Sequence, residues 1–343
     1  MKIALDATYS LDPHLSGVGV YSREILFGLA QAHPDSEFLF CYRPHRLLRS
    51  SSDHLPANAR RSLLWKRWPS SPHLFHGLNQ RIDSTRYRRT VATFHDLFVL
   101  TGEYSTPEFR RRFAGQARFA AERADLIIAV SAFTAGQVRD LLKVEPARIR
   151  VVHHGVRRPP RVAPAAAREN MILFVGAIQH RKNVLRLVEA FERVKQGWKL
   201  MLAGSPGFGA AEIQKHIETS PRRADIAILG YVTEERLEDL YARASIFAFP
   251  SLDEGFGMPV LEAMARGIPV LTSNVSALAE ISGDAALLVD PAEVDSIANG
   301  LTSLIEDESL RAELIRKGLT HSGDFRWEKA TEETWAVYRE LLG

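Results

Sequence analysis

The chain has 343 residues, 45% hydrophobic and 25% charged, the balance of an ordinary globular protein and about twice the length of one typical domain. No apolar run approaches the ~20 residues of a membrane span, MKIALDATYS reaches acidic and polar residues too early for a signal peptide, and a single cysteine, Cys41, excludes an internal disulfide framework and a multi-cysteine metal site. The formal charge of +3 is split unevenly, with 24 Lys and Arg against 14 Asp and Glu in residues 1–160 and 20 against 27 in residues 161–343.

A basic half beside an acidic half points to an anionic partner for the first half. Its local runs are Arg60–Trp68 (RRSLLWKRW), Arg86–Arg89 (RYRR) and Phe109–Phe113 (FRRRF). Nucleic acid, an anionic membrane surface and a phosphorylated acceptor all fit that charge, as does a solvated face. Nucleic acid is the weakest of these, because the runs match no nucleic-acid motif. Cys41 reads as a buried spectator thiol, and the expected compartment is the cytoplasm.

In chain order, strand-like runs occur at Lys2–Thr8, Glu37–Arg43, Thr90–Asp96, Leu126–Ser131 and Ile149–Gly155, with amphipathic stretches at Val20–Gln31 and Pro107–Ala124. Near-continuous apolar strands alternating with helices predict a parallel sheet covered on both faces, an α/β doubly wound domain. The segment 157–167, RRPPRVAPAAA, has no period and three prolines, and reads as a hinge. Alternation then restarts at Met171–Ala177 and runs through KLMLAGS, IAILGY, IFAFPS, PVLTS and ALLVD to amphipathic helices at Ser309–Leu319 and Trp327–Leu342.

The expected architecture is therefore two doubly wound, Rossmann-like domains. Residues 1–160 form the first and 168–326 the second, with the helix 327–343 packing back on the first. Ligands of such sheets bind outside the carboxyl ends of the strands, so the two domains are expected to face each other across a cleft, and strand-end motifs carry the functional signal.

Four motifs stand at such ends. In FPSLDEGFGMPVLE (Phe249–Glu262), Gly255 and Gly257 allow close backbone approach and Pro259 suits the first turn of a helix. The amides of that turn suit a diphosphate. Glu254 can accept hydrogen bonds from sugar hydroxyls, and Glu262, one turn into the helix, can hold a ribose; two glutamates that merely complement the helix dipole are the bland alternative. In FVGAIQHRKN (Phe174–Asn183), Gly176 is followed by Arg181 and Lys182 before a helix, a pair that can neutralise a diphosphate leaving group. TFHDL places His95 at a strand end. SGVGVYSREIL (Ser16–Leu26) puts Gly17 and Gly19 before a helix, a weak signal without the third glycine of the dinucleotide fingerprint.

The stretch from Glu254 to Glu262, two glutamates with seven residues between them, resembles the signature of retaining glycosyltransferases of the GT-B fold, family 4 (group 1), over nearly the whole chain. The resemblance implies a metal-independent hexosyltransferase that takes a nucleotide-sugar donor and no separate cofactor. It assigns Glu254 to the donor sugar, Glu262 to the nucleotide ribose, the Phe256 and Gly257 amides to the sugar, with Met258 and Gly176 in the donor-binding set. Arg181 and Lys182 fall on the donor phosphates, Gly17 and Gly19 on the phosphates or acceptor, Tyr231 and Val232 on the base, and His95 on the orientation of the donor sugar, so that His95, Glu254, Arg181 and Lys182 are the catalytic candidates. Many relatives carry an arginine directly after the glycine, where this chain has Ala177.

Chains with this version of the second motif resemble bacterial mannosyltransferases of surface polysaccharide and lipopolysaccharide biosynthesis. The expected donor is GDP-mannose, followed by UDP-hexoses, and the expected acceptor a lipid-linked saccharide at the inner membrane face. The expected step is front-face, with the leaving phosphate taking the acceptor proton and hinge closure excluding water. Two other readings stay open: a sugar-nucleotide epimerase of the same fold, and a non-catalytic nucleotide-sugar or polyanion binding protein.

Overall fold

The computed structural model describes residues 1–11, 15–48, 50, 54–64, 71–159, 162–164 and 168–343. Residues 65–68 of the first basic run and parts of the Pro-rich segment 157–167 lie outside the described residues. The chain divides into two compact units. The first is Met1–Thr101, Pro107–Gly155 and Phe325–Gly343, and the second is Gly102–Thr106 and Val156–Asp324.

The first unit holds strands β1 (Lys2–Asp6), β2 (Glu37–Tyr42), β3 (Ala59–Leu63), β4 (Leu74–Gly77), β5 (Thr90–Phe94), β6 (Leu126–Ala129) and β7 (Ile149–Val151), in the order β3-β2-β1-β4-β5-β6-β7. All pair in parallel. The chain leaves β1 toward one edge and β4 toward the other, so the direction reverses between these two strands. At such a reversal the loops part and leave a crevice. Strands β3 and β4 are absent from the sequence reading. β3 carries exposed Arg60 at the sheet edge, and β4 is only four residues long, LFHG.

Apolar residues of β5 and β6 meet alanines of the Pro107–Arg123 helix, with Ala92, Phe94 and Ile127 against Ala117, Ala120 and Ala121. Small side chains let this helix lie close on the sheet while its arginines, Arg111 and Arg112 among them, stay exposed. The closing helix, Trp327–Leu342, belongs to this unit, where Trp335 stacks on His33 at 3.7 Å. Its Tyr338 hydroxyl lies 2.5 Å from His76 Nδ1, and His76 Nε2 lies 2.8 Å from Thr93 Oγ1, which in turn meets the Tyr21 hydroxyl at 2.9 Å. Burial, with a smaller contribution from neighbouring His95, pulls His76 down to about 3, so the ring joins this chain of hydroxyls in its neutral form. Cys41 is buried, and burial raises its thiol pKa, as a spectator requires.

The second unit holds β8 (Glu169–Val175), β9 (Lys199–Ala203), β10 (Ile226–Gly230), β11 (Ala244–Phe249), β12 (Val270–Ser273) and β13 (Leu287–Val289), again all parallel, in the order β10-β9-β8-β11-β12-β13. This is the doubly wound order, and its reversal lies between β8 and β11. Both units are therefore Rossmann-like. Arg168 donates to the carbonyls of Tyr241, Ala244, Arg266 and Gly267, tying the start of β8 to the elements around β11.

At the carboxyl ends of β8 and β9 the chain passes through Gly176 and Gly204. Gly176 N donates to Ala203 O at 2.9 Å, and Gly204 N to Gly230 O at 2.8 Å, extending the ladder one residue past each strand. A Cβ on Gly204 would lie 1.9 Å from the Gly176 carbonyl oxygen, an approach no side chain tolerates. Gly204→Ala is expected to destabilise the protein by about 1–3 kcal/mol or more through this overpacking. Urea unfolding of the full chain checks it, and a variant midpoint equal to that of the wild type would show that the strand ends can part without cost.

Candidate active site

Two loops meet at the reversal point of the second sheet. One follows β8 and runs through Gly176 to a 3-10 turn, His180–Lys182, and the helix Val184–Phe191. The other follows β11 through Pro250–Gly257 into the helix Met258–Ala265. Asn183, in the left-handed region at φ 58°, locks them together. Its side-chain amide donates to Pro250 O at 3.0 Å and Pro291 O at 2.7 Å. Leu252 N donates to Arg181 O at 2.9 Å.

Locked in this way, the loops place both cations on one carboxylate. Glu254 is 7% exposed and Arg181 8%. Glu254 Oε1 takes Lys182 Nζ and the Ser251 hydroxyl, the latter at 2.6 Å, while Oε2 faces Arg181 Nη1 at 3.2 Å. Arg181 also donates to the Asp253 carbonyl, and Lys182 Nζ sits 4.9 Å above the Phe249 ring. Burial alone would push the Glu254 carboxyl up; Arg181, Lys182 and Ser251 together overcome it and bring it down to about 2. A carboxylate offers roughly four acceptor positions, so these three partners leave room for one hydroxyl.

Two cations, Arg181 and Lys182, face the Glu254 carboxylate. The loop leads into the amino end of the Met258–Ala265 helix, which no side chain caps; Pro259 has no N–H and Val260 N donates to Gly257 O at 3.0 Å. Gly257 holds that entry at φ 101°, and a Cβ on it would lie 2.5 Å from Leu278 Cδ2. Two cations, an uncapped helix terminus and a loop buried from Asp253 to Gly257 surround Glu254, whose carboxylate keeps one acceptor position.

Glu262 lies further along the same helix, half-buried, and accepts the Tyr241 hydroxyl at 3.0 Å. Burial raises its carboxyl pKa, and Arg266 and the Tyr241 hydrogen bond only partly oppose the shift. Arg266 instead ion-pairs with Glu238 and lies over the Tyr241 ring. The two glutamates are thus held in opposite states, one strongly acidic and one reluctant to ionise, and such pairs take different roles.

Residues 159–321 match the family model for glycosyl transferases group 1, and residues 16–158 match that for glycosyltransferase family 4. The D-inositol 3-phosphate glycosyltransferase of Acidothermus cellulolyticus is 30% identical over 94% of this chain and 77% of its own length. The chain belongs to the group 1 glycosyltransferases. The O-antigen chain mannosyltransferase B of Escherichia coli is 29% identical over 99% of this chain and all of its own length. Sucrose-phosphate synthase from Thermosynechococcus elongatus superposes with a TM-score of 0.81 at 21% identity over 99% of both chains, and the fold is GT-B.

Within this glycosyltransferase the second unit brings together Gly176, Arg181, Lys182, Glu254, Phe256, Gly257 and Met258. Tyr231 and Val232 follow Gly230 at the end of β10, Tyr231 half exposed at 50% and Val232 partly covered. Ser251, Asn183, Tyr241 and Arg266 were not singled out from sequence. A serine three residues before the first glutamate and an arginine four after the second are the signals they leave; Tyr241, 21 residues before Glu262, leaves none.

The first unit departs from expectation at the glycine pair. Gly17 and Gly19 do not precede the helix; they form its first turn, Gly17–Ala32, because Ser16 caps it by accepting Gly19 N at 3.3 Å. His95 is buried against Tyr21 and His154, and its Nε2 lies 2.9 Å from the Leu78 carbonyl. Burial lowers it to about 4, so the ring is neutral and Nε2–H donates. Among the described residues no group of three or more His, Cys, Asp or Glu is placed to hold a metal ion, and no helix is long and apolar enough to cross a membrane.

The Glu254 cluster has a pH signature. A carboxyl depressed in the folded state stabilises fully above its unfolded value near 4.5, and that stability is lost as pH falls toward about 2. At ~1.4 kcal/mol per unit the contribution is about 3 kcal/mol. Glu254→Gln is therefore expected to be less stable than the wild type at pH 5–6, with the deficit shrinking as pH falls toward 2.5. Urea unfolding of both proteins across this range tests it, and a deficit constant with pH would show that Glu254 carries no depressed carboxyl.

Proposed function

We propose that this glycosyltransferase moves a hexose, mannose from GDP-mannose, to a hydroxyl of a saccharide acceptor with retention of anomeric configuration. The observation that carries the reading is Glu254 held between Arg181 and Lys182 beside an uncapped helix terminus. Glu254 has one acceptor position for a sugar hydroxyl, and in this reading Arg181, Lys182 and the Met258 amide meet the charge of a departing diphosphate. Glu262, one turn further, suits the ribose hydroxyls.

In the proposed step the bond from the sugar's anomeric carbon to the phosphate oxygen breaks and a bond to the acceptor oxygen forms on the same face. The acceptor's proton passes to an oxygen of the leaving phosphate. The protein's contribution is orientation and fixed positive charge. We assign that charge to Arg181, Lys182 and the Met258 amide at the start of the helix, without a metal ion. The choice of mannose and of surface polysaccharide as product follows the named activity of the Escherichia coli relative. A lipid-linked acceptor suits the basic first 160 residues, which anionic leaflets attract; equal sedimentation with neutral and anionic vesicles would remove that part of the proposal.

The test is incubation of the full chain with a panel of GDP- and UDP-sugars in EDTA without acceptor. Slow release of GDP from GDP-mannose is expected, lowered by about 10²-fold or more in Lys182→Ala or Glu254→Ala. Release from a different donor would correct the sugar or base, and dependence on added metal would correct the charge assignment. No release and no thermal stabilisation by any donor would contradict the reading.

A further inference from the structure

Glu262 has fewer partners than Glu254. The helix Glu234–Arg243 supplies Tyr241, which is 1% exposed and whose hydroxyl donates to Glu262 Oε2 at 3.0 Å. Among the described residues this is the one hydrogen bond that the Glu262 carboxylate accepts, so most of its roughly four acceptor positions stay open. Glu262 is half-buried, which leaves it within reach of a ligand.

The neighbouring cation is kept off this carboxylate. Arg266 Nε donates to Glu238 Oε2 at 3.0 Å, its Nη2 pairs with Glu238 Oε1, and its Nη1 donates to the Glu262 backbone carbonyl at 2.9 Å. With all three nitrogens engaged, Arg266 ion-pairs with Glu238 and, among the described residues, not with Glu262. A guanidinium fork on Glu262 would fill two acceptor positions. Tyr241 is itself held from several sides. Its ring lies 4.7 Å from the Arg266 guanidinium and 6.1 Å from the Phe247 ring, and Arg168 ties the Tyr241 and Arg266 carbonyls together at 2.9 and 2.7 Å. Its hydroxyl is therefore a fixed donor to one oxygen of an otherwise rotatable side chain.

We propose that Tyr241 is the positioning residue for Glu262, holding one carboxylate oxygen so that the open acceptor positions meet the two hydroxyls of the nucleotide ribose. The proposal rests on the reading of Glu262 as the ribose residue and adds what sets it. A vicinal diol brings two O–H donors at a fixed spacing, and ordering a mobile glutamate to receive them would cost affinity. A phenol suits the task better than a cation, because it holds one oxygen without neutralising the charge that strengthens the bonds to the diol. Burial raises the Glu262 carboxyl pKa, and Arg266 and the Tyr241 hydrogen bond oppose that shift, in the direction that keeps the accepting form populated.

Isothermal titration of the full chain with GDP and UDP, and with the 2′-deoxy and 3′-deoxy forms of each, reads the ribose contacts. The wild type is expected to bind one ribonucleotide about tenfold or more tighter than at least one of its deoxy forms, and Glu262→Ala to erase that preference. Tyr241→Phe keeps the ring beside Arg266 and removes only the hydroxyl. It is expected to reduce the preference about threefold or more, with a thermal midpoint within a few degrees of the wild type. In the Glu262→Ala background the same substitution is expected to leave nucleotide affinity unchanged, a coupling that a general loosening of the helix would not produce.

A ribose preference that disappears in Glu262→Ala but survives in Tyr241→Phe would overturn the proposal and leave the ribose reading standing. A preference unchanged in Glu262→Ala, or no binding of either nucleotide, would overturn the ribose reading and the proposal with it. Equal losses for ribo- and deoxynucleotides in Tyr241→Phe, or the same loss in the Glu262→Ala background, would show that Tyr241 acts on the fold alone, and would also overturn the proposal.

Discussion

The second unit is organised around one constraint: a buried carboxylate cannot remain ionised without partners, and Glu254 finds both of them on a different loop. The idealised cost of burying a single charge is many kcal/mol, and breaking such a pair by removing one member costs about 3–5 kcal/mol. Those magnitudes exceed anything else at these strand ends. Several neighbouring features serve the same end, namely Asn183 bridging Pro250 and Pro291, Leu252 bonded to Arg181, and Ser251 on Glu254. The cluster is held in place by protein partners alone, and preorganised charge is what the proposed departure of a diphosphate requires.

The first unit follows the opposite electrostatic rule. Its buried titratable groups are kept neutral rather than paired, with His76 and His95 drawn down by burial and Tyr21 pushed up. Neutral rings and hydroxyls can then form the chain from Tyr338 to Tyr21 without any buried ion. His95 is part of this economy: it donates one hydrogen bond to a backbone carbonyl and has too low a pKa to act as a base near neutrality.

Much of this was legible in the sequence, and the exceptions have physical causes. Buried parallel strands write themselves as apolar runs, so eleven of the thirteen strands among the described residues were visible. β3 and β4 were not, because ARRSL is an edge strand with exposed arginine and LFHG is short and contains the histidine that bonds Tyr338. The glutamate pair and the Arg181–Lys182 pair each announced themselves. Their union did not, because Lys182 and Glu254 are 72 residues apart and only the β8–β11 neighbourhood joins them. His95 was found as a residue, but its partner was not, since a strand-end histidine does not reveal which carbonyl its ring will meet.

The most direct measurement of the central claim is a double-mutant cycle on Lys182→Met and Glu254→Gln, read as unfolding free energy at pH 7. If the two side chains form one buried ion cluster, the double variant will be more stable than the sum of the single losses implies, by about 1 kcal/mol or more. Additive losses within ~0.5 kcal/mol would contradict the cluster and with it the preorganised charge.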